Sequence, residues 1–203
     1  MGDVALTVPV IRGFNYDFPE YHIVLVTRKV FFPFFTNIPN LTLIAFDDKD
    51  KHKGWLGMMK LAKEINSQHK IEIMFDLHNV LRTRLLSFFL KKNHVYRINK
   101  GRKEKEAFTR KENKIRKILK HTTDRYADVF IQAGFACRIL PGPWLLPEQP
   151  SAEAEAIKAI IKKDKLSYVS IGIAPFAKHK TKMWPLEKSK KLIELLISTK
   201  KVK

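Results

Sequence analysis

Hydrophobic residues along this chain fall into short, mostly apolar runs that alternate with longer stretches of helical spacing. The runs are four to six residues long and rich in β-branched residues, as strands of a buried parallel sheet are. They lie at residues 22–26, 41–46, 71–75, 95–98 and 168–173. Between them, apolar residues recur three and four positions apart, which is the spacing of amphipathic helices. The alternation predicts an α/β fold, a parallel sheet with helices on both faces.

Helices are predicted at residues 55–67, after residue 80, at residues 104–119, 121–132 and 151–163, and from Pro185 onward. Four of them carry an apolar stripe on one face: Trp55, Met58, Met59, Ala62 and Ile65; Leu81, Leu85, Phe88 and Phe89; Ile157, Ile160 and Ile161; and Leu186, Leu192, Ile193 and Leu196. We expect the first and third stripes to pack inward. The aromatic residues 31–35 pack as core or line a cleft, and core is the preferred interpretation.

A proline-rich segment divides the chain. Residues 141–147 hold Pro141, Pro143 and Pro147, which exclude regular helix and central strand. We therefore predict an N-terminal domain at residues 1–140, a linker at residues 141–150 and the beginning of a second domain at residues 151–203.

Composition is that of a folded protein, since 45% of the 203 residues are hydrophobic. The single cysteine, Cys137, excludes an internal disulfide, fits a reducing compartment and is interpreted as a small buried hydrophobe. We identify no signal peptide at the N-terminus. No apolar run approaches the ~20 residues needed to span a bilayer.

Charge is concentrated in one segment. The net charge is +19, and residues 91–120 contribute thirteen Lys or Arg against three Glu. Such a segment favours an anionic partner, which could be nucleic acid, acidic lipid headgroups or a phosphorylated glycolipid. The alternative interpretation is a solvated, solubilising helix.

A basic loop near the end of the chain predicts an anion site. Lys178, Thr181 and Lys182 lie between the strand predicted at residues 168–173 and the helix that begins at Pro185. Backbone N–H groups, the positive end of the helix dipole and lysine ammonium groups would converge on a phosphate or diphosphate. The alternative is an ordinary solvated loop.

Polar residues also follow predicted strand and turn positions in the first half of the chain. Asp76, His78, Asn79 and Arg82 come directly after the strand at residues 71–75, where open α/β sheets place ligand contacts. Asp3 lies in an opening Gly-Asp turn, where a carboxylate could accept a proton. Taken alone, Asp3 is preferably interpreted as a helix N-cap, whereas Asp76 could equally be only a cap and His78 could be a structural histidine.

Four segments together resemble the ADP-heptose:lipopolysaccharide heptosyltransferases, glycosyltransferase family 9. They are Gly2-Asp3-Val4 with Thr7-Val8-Pro9; Asp76-Leu77-His78-Asn79-Val80-Leu81-Arg82-Thr83, with Thr83 where the family has serine; His121-Thr122-Thr123-Asp124-Arg125-Tyr126; and Lys182-Met183-Trp184-Pro185 with Glu187. Their order along nearly the whole chain makes the resemblance specific.

The resemblance implies a GT-B fold, with two Rossmann-like domains across a cleft. This chain would hold the N-terminal Rossmann-like domain, without its first strand, and the start of the second. Asp3 would be the general base of an inverting single displacement. Lys182, with Thr181 and Lys178, would meet the donor diphosphate. Asp76, Asn79 and Arg82 are acceptor-side candidates.

The implied donor is ADP-heptose or a similar nucleotide-sugar, and the acceptor is an acidic sugar on lipid A. No metal, cofactor or nucleic acid is expected. The protein would be cytoplasmic, held on the inner membrane by its basic segment. The resemblance also implies a polypeptide truncated at both ends, which alone transfers no sugar.

The sequence offers less support for two other function classes. A basic nucleic-acid-binding module needs aromatic residues among its charges, and the basic segment has only Tyr96 and Phe108. A nicotinamide-dependent oxidoreductase would carry a Gly-x-Gly-x-x-Gly loop, which this sequence lacks.

Overall fold

The computed structural model describes residues 1–145, 151–163, 171–177 and 179–199. The chain divides into two compact units, Met1–Glu148 and Gln149–Lys203. Within the described residues the helices are α1 (Gly2–Ala5), α2 (Val8–Asp17), α3 (Gly54–Gln68), α4 (Leu81–Phe89), α5 (Arg102–Thr109), α6 (Thr122–Ile131), α7 (Ala152–Lys163) and α8 (Leu186–Ser198). The strands are β1 (Ile23–Thr27), β2 (Leu41–Ala45), β3 (Ile73–Asp76) and β4 (His94–Arg97), and short 3-10 helices lie at Lys29–Phe35 and Lys180–Lys182.

The four strands form two parallel pairs. β1 pairs with β2, with Ile23 opposite Leu41. β3 pairs with β4, with Ile73 opposite His94. The predicted α/β fold with parallel strands is confirmed, and the described strands are arranged as two separate two-stranded sheets.

Successive strand residues point to opposite sides, so the mostly apolar strands present apolar side chains on both faces. Helices cover both faces. On one side α2 and α6 pack through Phe14 and Phe130 against Phe75. On the other side α3 and α4 pack through Leu61 and Leu86 against Met74 and neighbouring strand residues. Unit 1 is therefore a helix–sheet–helix sandwich.

The aromatic segment takes both of its predicted roles. Phe35, at the end of the first 3-10 helix, is buried with Val8 and Ile11. Phe31 lines a cavity described below. Cys137 packs against the cluster around Phe14, and burial raises the pKa of its thiol to about 11. The interpretation of Cys137 as a small hydrophobe agrees with this environment.

Some predicted apolar faces are wrong. α3 buries Met58, Ala62 and Ile65 but leaves Trp55 and Met59 exposed. In α4, for whose stripe no inward packing was predicted, Leu86 is buried, whereas Leu81 and Phe88 are 74% and 79% exposed. These two helices pack against each other and against the strands, so the buried face is narrower than each stripe and rotated from it.

The predicted helix at residues 104–119 is also wrong over most of its length, since α5 ends at Thr109. The helix ends where Arg110 takes an extended conformation, with a ψ of 153°, and Asn113 further along has a φ of 46°, in the left-handed region. The Arg110 side chain donates to the Asn113 carbonyl at 2.6 Å, and the chain turns back on itself there. The basic segment therefore holds β4 and the short helix α5, followed by irregular chain.

In unit 2 the predicted helix starts are confirmed. The Ser151 hydroxyl accepts a hydrogen bond from the Ala154 N–H at 3.2 Å and caps α7, and α8 begins directly after Pro185. Ile157 and Ile160 are exposed, so their predicted inward position is wrong; within the described part of unit 2 no element covers them.

The strand predicted at residues 168–173 falls partly outside the described residues. Residues 171–173 are described and are not in a strand, because no described strand lies beside them to pair.

Candidate active site

A central cavity of about 1030 Å³ opens between β1 and β3 in unit 1. All five residues of β1 line it on one side, and β3 lines it on the other. Apolar residues of α2 and α6 close one face of the cavity, and residues of α3 and α4 close the opposite face. Polar residues line the cavity at both ends of the strands, and those at the carboxyl ends include Asp3, Arg28, Asp76, His78, Arg82 and Thr83.

The position of these polar residues follows from the strand order. Neither β2 nor β4 lines the cavity, so the order across unit 1 is β2, β1, cavity, β3, β4. The chain order thus reverses at the cavity. In open α/β sheets, ligands bind outside the carboxyl ends of the strands at such a reversal. The sequence-predicted residues Asp3, Asp76 and Arg82 all lie at this crevice.

Asp76 shapes the loop at the crevice. Asp76 is buried, with 2% of the residue exposed. Its Oδ1 accepts hydrogen bonds from the N–H groups of His78 at 3.1 Å and Asn79 at 2.7 Å. Oδ2 accepts from the Thr83 hydroxyl at 2.8 Å. These bonds hold the loop between β3 and α4, whose N-cap residue is Val80, so Asp76 organises the loop and does not itself cap the helix; a direct contact of Asp76 with an acceptor stays a prediction.

Asn79 joins the same loop to the next strand. Its φ of 43° lies in the left-handed region, which Asn tolerates better than most residues. The Asn79 amide donates to the Ile98 carbonyl at 3.0 Å, and its oxygen accepts from Arg84 at 3.1 Å. Both ends of the Asn79 side chain are thus occupied within the protein.

Arg82 belongs to a cationic cluster at the rim. Its guanidinium donates to Asp48 Oδ2 at 2.9 Å, and Arg28 donates to the same oxygen. The hydrogen bond from Arg82, together with Arg28, holds the pKa of the Asp48 carboxyl below its ordinary value. Two guanidinium groups share one carboxylate, so the cluster keeps a net positive charge and spare N–H donors.

The surroundings of His78 hold its pKa below the ordinary value. Partial burial lowers its pKa, and the ammonium of Lys100 lowers it further. The carboxylates of Asp76 and Asp3 act in the opposite direction. The pKa of His78 therefore depends on the opposing charges of Lys100 and of the two aspartates.

The Asp3 carboxylate is exposed at the cavity and makes no hydrogen bond or ion pair with another described residue. Its backbone carbonyl accepts from the Tyr126 hydroxyl at 3.3 Å, which ties α1 to α6. Burial and the Asp3 charge raise the pKa of Tyr126. Asp3 is thus the carboxylate of this crevice that is available to a substrate, whereas Asp76 is fully engaged.

The segment at residues 121–126 has a structural role here. His121 caps α6 by accepting from the Thr123 N–H at 3.3 Å. Arg125 is buried and pairs with Glu104 at 2.8 Å, which links α6 to α5. The Arg125 guanidinium lies directly over Gly101, leaving no room for a side chain there.

The residues predicted to hold the donor diphosphate lie in unit 2. Thr181 and Lys182 are exposed at the end of a 3-10 helix, five and four residues before Leu186, the first residue of α8. Lys182 makes no ion pair with another described residue. Lys178 lies outside the described residues. Their roles as diphosphate ligands stay predictions.

Sequence reasoning missed four residues of the crevice: Arg28, Asp48, Lys100 and Tyr126. For Arg28 and Asp48 the sequence signal was their position: Arg28 directly follows β1, and Asp48 comes shortly after β2. The Arg82–Asp48 contact joins residues 34 positions apart, a separation that no local pattern reveals.

Comparison with known proteins decides the family. Residues 58–202, more than two thirds of the chain, match the model of glycosyltransferase family 9 (heptosyltransferase). The chain belongs to glycosyltransferase family 9. A crystal structure of a glycosyl transferase family 9 protein from Veillonella parvula shares the fold, with a TM-score of 0.63 and 23% identity. The match covers 93% of this chain and 55% of that one.

A curated relative of this family 9 chain is the lipopolysaccharide core heptosyltransferase OpsX of Haemophilus influenzae. It is 25% identical over 91 residues, which make up 45% of this chain and 25% of the relative. The chain thus spans little more than half of the solved relative, and its match to OpsX spans a quarter of that protein.

Two properties of the described residues concern membranes and metal ions. No helix among them is long and apolar enough to cross a membrane. The same residues contain no group of three His, Cys, Asp or Glu side chains arranged to hold a metal ion. The expectation of metal-independent chemistry stays a prediction.

Proposed function

We propose that this family 9 chain serves the transfer of heptose from ADP-heptose to the inner core of lipopolysaccharide. The observation that carries the proposal is the exposed Asp3 carboxylate in a crevice that also holds the Arg28 and Arg82 guanidinium groups. Family membership and the name of the Haemophilus relative support heptose as the sugar.

The proposed reaction is a single displacement with inversion. Asp3 removes the proton from an acceptor hydroxyl as its oxygen attacks the anomeric carbon of the sugar. The bond from that carbon to the diphosphate oxygen breaks, and ADP leaves with the electron pair. Lys182, Thr181 and Lys178 meet the charge that develops on the leaving diphosphate.

The acceptor side of the proposal rests on charge. An acidic inner-core sugar or its phosphate groups would bind the spare donors of Arg28 and Arg82, since guanidinium groups match carboxylate and phosphate geometry. His78, neutral through its lowered pKa, adds no charge there and can hydrogen bond a sugar hydroxyl.

We further propose that the basic segment, residues 91–120, holds the protein against the anionic cytoplasmic face of the inner membrane. Ile115 and Ile118 are exposed, Ile118 completely, among Lys114, Arg116 and Lys117. Exposed apolar side chains interleaved with basic ones suit the headgroup region of an acidic bilayer. Residues 1–203 as a purified polypeptide are proposed to transfer no sugar, in line with the partial coverage of the relatives.

The acceptor assignment is tested by calorimetric titration of the chain with a deacylated, phosphorylated inner-core oligosaccharide. Arg82→Ala should weaken binding about 10-fold or more, because a hydrogen bond to a charged group contributes ~1.5–3 kcal/mol. Folding should be little affected, since exposed ion pairs contribute ~0–1 kcal/mol. Arg102→Ala, which removes an exposed arginine of α5, is the matched control and should bind like the parent.

A DNA duplex of similar charge is titrated in parallel. Tighter binding of the duplex than of the oligosaccharide, with no dependence on Arg82, would favour the nucleic-acid-binding alternative. Equal losses in Arg82→Ala and Arg102→Ala would mean that charge alone, and not the crevice, binds the sugar.

A further inference from the structure

One buried titratable side chain, His52, has no part in the reaction proposed above. The residue is 2% exposed and lies in the loop between β2 and α3. Its Nδ1 accepts a hydrogen bond from the Asp47 N–H at 3.1 Å, and its own N–H donates to the Asp47 carbonyl at 2.8 Å. A ring nitrogen that accepts a hydrogen bond carries no proton, so the proton of the neutral ring is on Nε2, 3.6 Å from Glu64 Oε2. Nε2 makes no hydrogen bond with another described residue, so Nδ1 is the atom that fixes the ring.

The loop that carries His52 is itself held firmly. The Asp47 carboxylate accepts hydrogen bonds from the N–H groups of Lys49 at 3.0 Å and Asp50 at 3.2 Å. A Cβ added at Gly57 of α3 would lie 2.2 Å from the His52 carbonyl carbon, so the backbone of the loop packs directly against the helix. The loop is therefore fixed near both of its ends.

Two contacts connect this loop to Arg82 at the crevice. Asp48 follows Asp47 directly, and its Oδ2 accepts from the Arg82 guanidinium at 2.9 Å. Phe46 precedes Asp47, and its ring stacks on the His52 imidazole, with centroids 5.9 Å apart and planes 6° apart. The central guanidinium carbon of Arg82 lies 5.7 Å from the centre of the Phe46 ring, which is a cation–π distance. Arg82 thus contacts the residue on each side of Asp47.

We propose that His52 is a positioning residue for Arg82, which it holds at the crevice through Asp48 and the ring of Phe46. The inference rests on the proposed function, in which Arg82 binds an anionic group of the acceptor. A guanidinium that is already fixed in place loses less conformational entropy when it binds a carboxylate or phosphate. Because His52 is buried, it acts on the acceptor only through Arg82.

Two amide replacements isolate the Nδ1 hydrogen bond. His52→Asn places an oxygen near the position of Nδ1 and can still accept from the Asp47 N–H, whereas His52→Gln places its oxygen near the position of Nε2. Both remove the ring, so the difference between them measures the bond to Asp47. NMR relaxation of the Arg82 Nε–H measures the order of that side chain in the ligand-free protein. Calorimetric titration measures binding of the deacylated, phosphorylated inner-core oligosaccharide.

His52→Gln should lower the order of the Arg82 side chain and weaken oligosaccharide binding about 5-fold, an effect typical of residues that share a hydrogen-bond network. His52→Asn should keep the order and bind within about 2-fold of the parent. In an Arg82→Ala background, His52→Gln should cause no further loss of affinity, because the group that it positions is gone. Phe46→Leu, which keeps the hydrogen bonds of the loop, should also lower the order of Arg82.

The proposal is overturned by an unchanged order of Arg82 in His52→Gln, or by equal losses in His52→Asn and His52→Gln. A loss of affinity from His52→Gln that is the same with and without Arg82 would also overturn it, since a merely structural role predicts that result. Where neither amide variant folds, Phe46→Leu decides: an Arg82 of unchanged order overturns the proposal. If Arg82 loses order as expected but Arg82→Ala binds the oligosaccharide like the parent, the positioning role holds and the proposed acceptor site fails.

Discussion

At the scale of single residues, the crevice separates two aspartates by their surroundings. Asp76 is buried and accepts three hydrogen bonds, so its charge is stabilised where it stands. Asp3 is exposed and has no such partners among the described residues. The sequence predicted candidate roles for both residues, but their different environments depend on α1 lying against Tyr126, which is 123 residues away.

The closeness of Asp3 to the crevice can be measured through His78. We expect NMR titration to give His78 a pKa below the ordinary ~6.5. Asp3→Asn removes a carboxylate that raises this pKa and should lower it further. Lys100→Gln removes an ammonium that lowers it and should raise it. Lys103→Gln, an exposed neighbour on α5, is the control.

The same shift makes stability depend on pH. Because the folded-state pKa of His78 lies below the unfolded value, the unfolded state binds more protons between the two. The free energy of unfolding should therefore fall as pH drops below ~6.5. His78→Gln should reduce this loss in urea titrations. An unchanged His78 pKa in Asp3→Asn would place the carboxylate away from the crevice.

At the scale of elements, strand positions were predictable because buried strands read as apolar runs, and all four described strands lie within two residues of their predicted bounds. Helix starts at Ser151 and Pro185 were predictable from capping chemistry. The end of α5 was not, because the extended conformation of Arg110 interrupts a sequence whose helical pattern continues.

The link between α5 and α6 yields a prediction at Gly101. Its φ is +59°, and a Cβ there would lie 2.5 Å from the Arg125 guanidinium. Gly101→Ala should lower the free energy of unfolding by ~1–3 kcal/mol from backbone strain, and by more from displacing Arg125.

Gly134→Ala is the matched control, measured in the same urea titration. Gly134 also has a positive φ, of +88°, but its Cβ would meet nothing within 4 Å. The difference between the two variants isolates the Arg125–Glu104 contact. Equal losses would show that this contact contributes nothing to stability.

At the scale of the whole molecule, charge alone suggested an anionic partner, but it could not separate a lipid surface from nucleic acid. The exposure of Ile115 and Ile118 supports the proposed lipid surface, and it depends on α5 ending at Thr109. The domain boundaries predicted from the proline-rich segment, and the role of the basic loop in unit 2, stay predictions.

Binding to anionic vesicles tests the proposed membrane surface. Replacing Lys111, Lys114 and Lys117 by Gln should weaken binding roughly 100-fold, since each basic residue near an acidic surface contributes ~1 kcal/mol. Raising the salt concentration should weaken binding of the parent. The control replaces Lys53, Lys60 and Lys63, which are exposed elsewhere in unit 1. An equal loss in the control would contradict a localised surface.

The gap between β1 and β3 also has a consequence for the solubility of this protein. Proteins usually shield the rim of a sheet with lysine, proline or a bulge, which discourage pairing with other chains. Among the described residues β1 and β3 each pair on one side only, and Val24, Val26, Ile73 and Phe75 are the positions that alternate away from the pairing side. Solubility during expression and refolding should therefore be governed by these four residues far more than by the highly charged exterior.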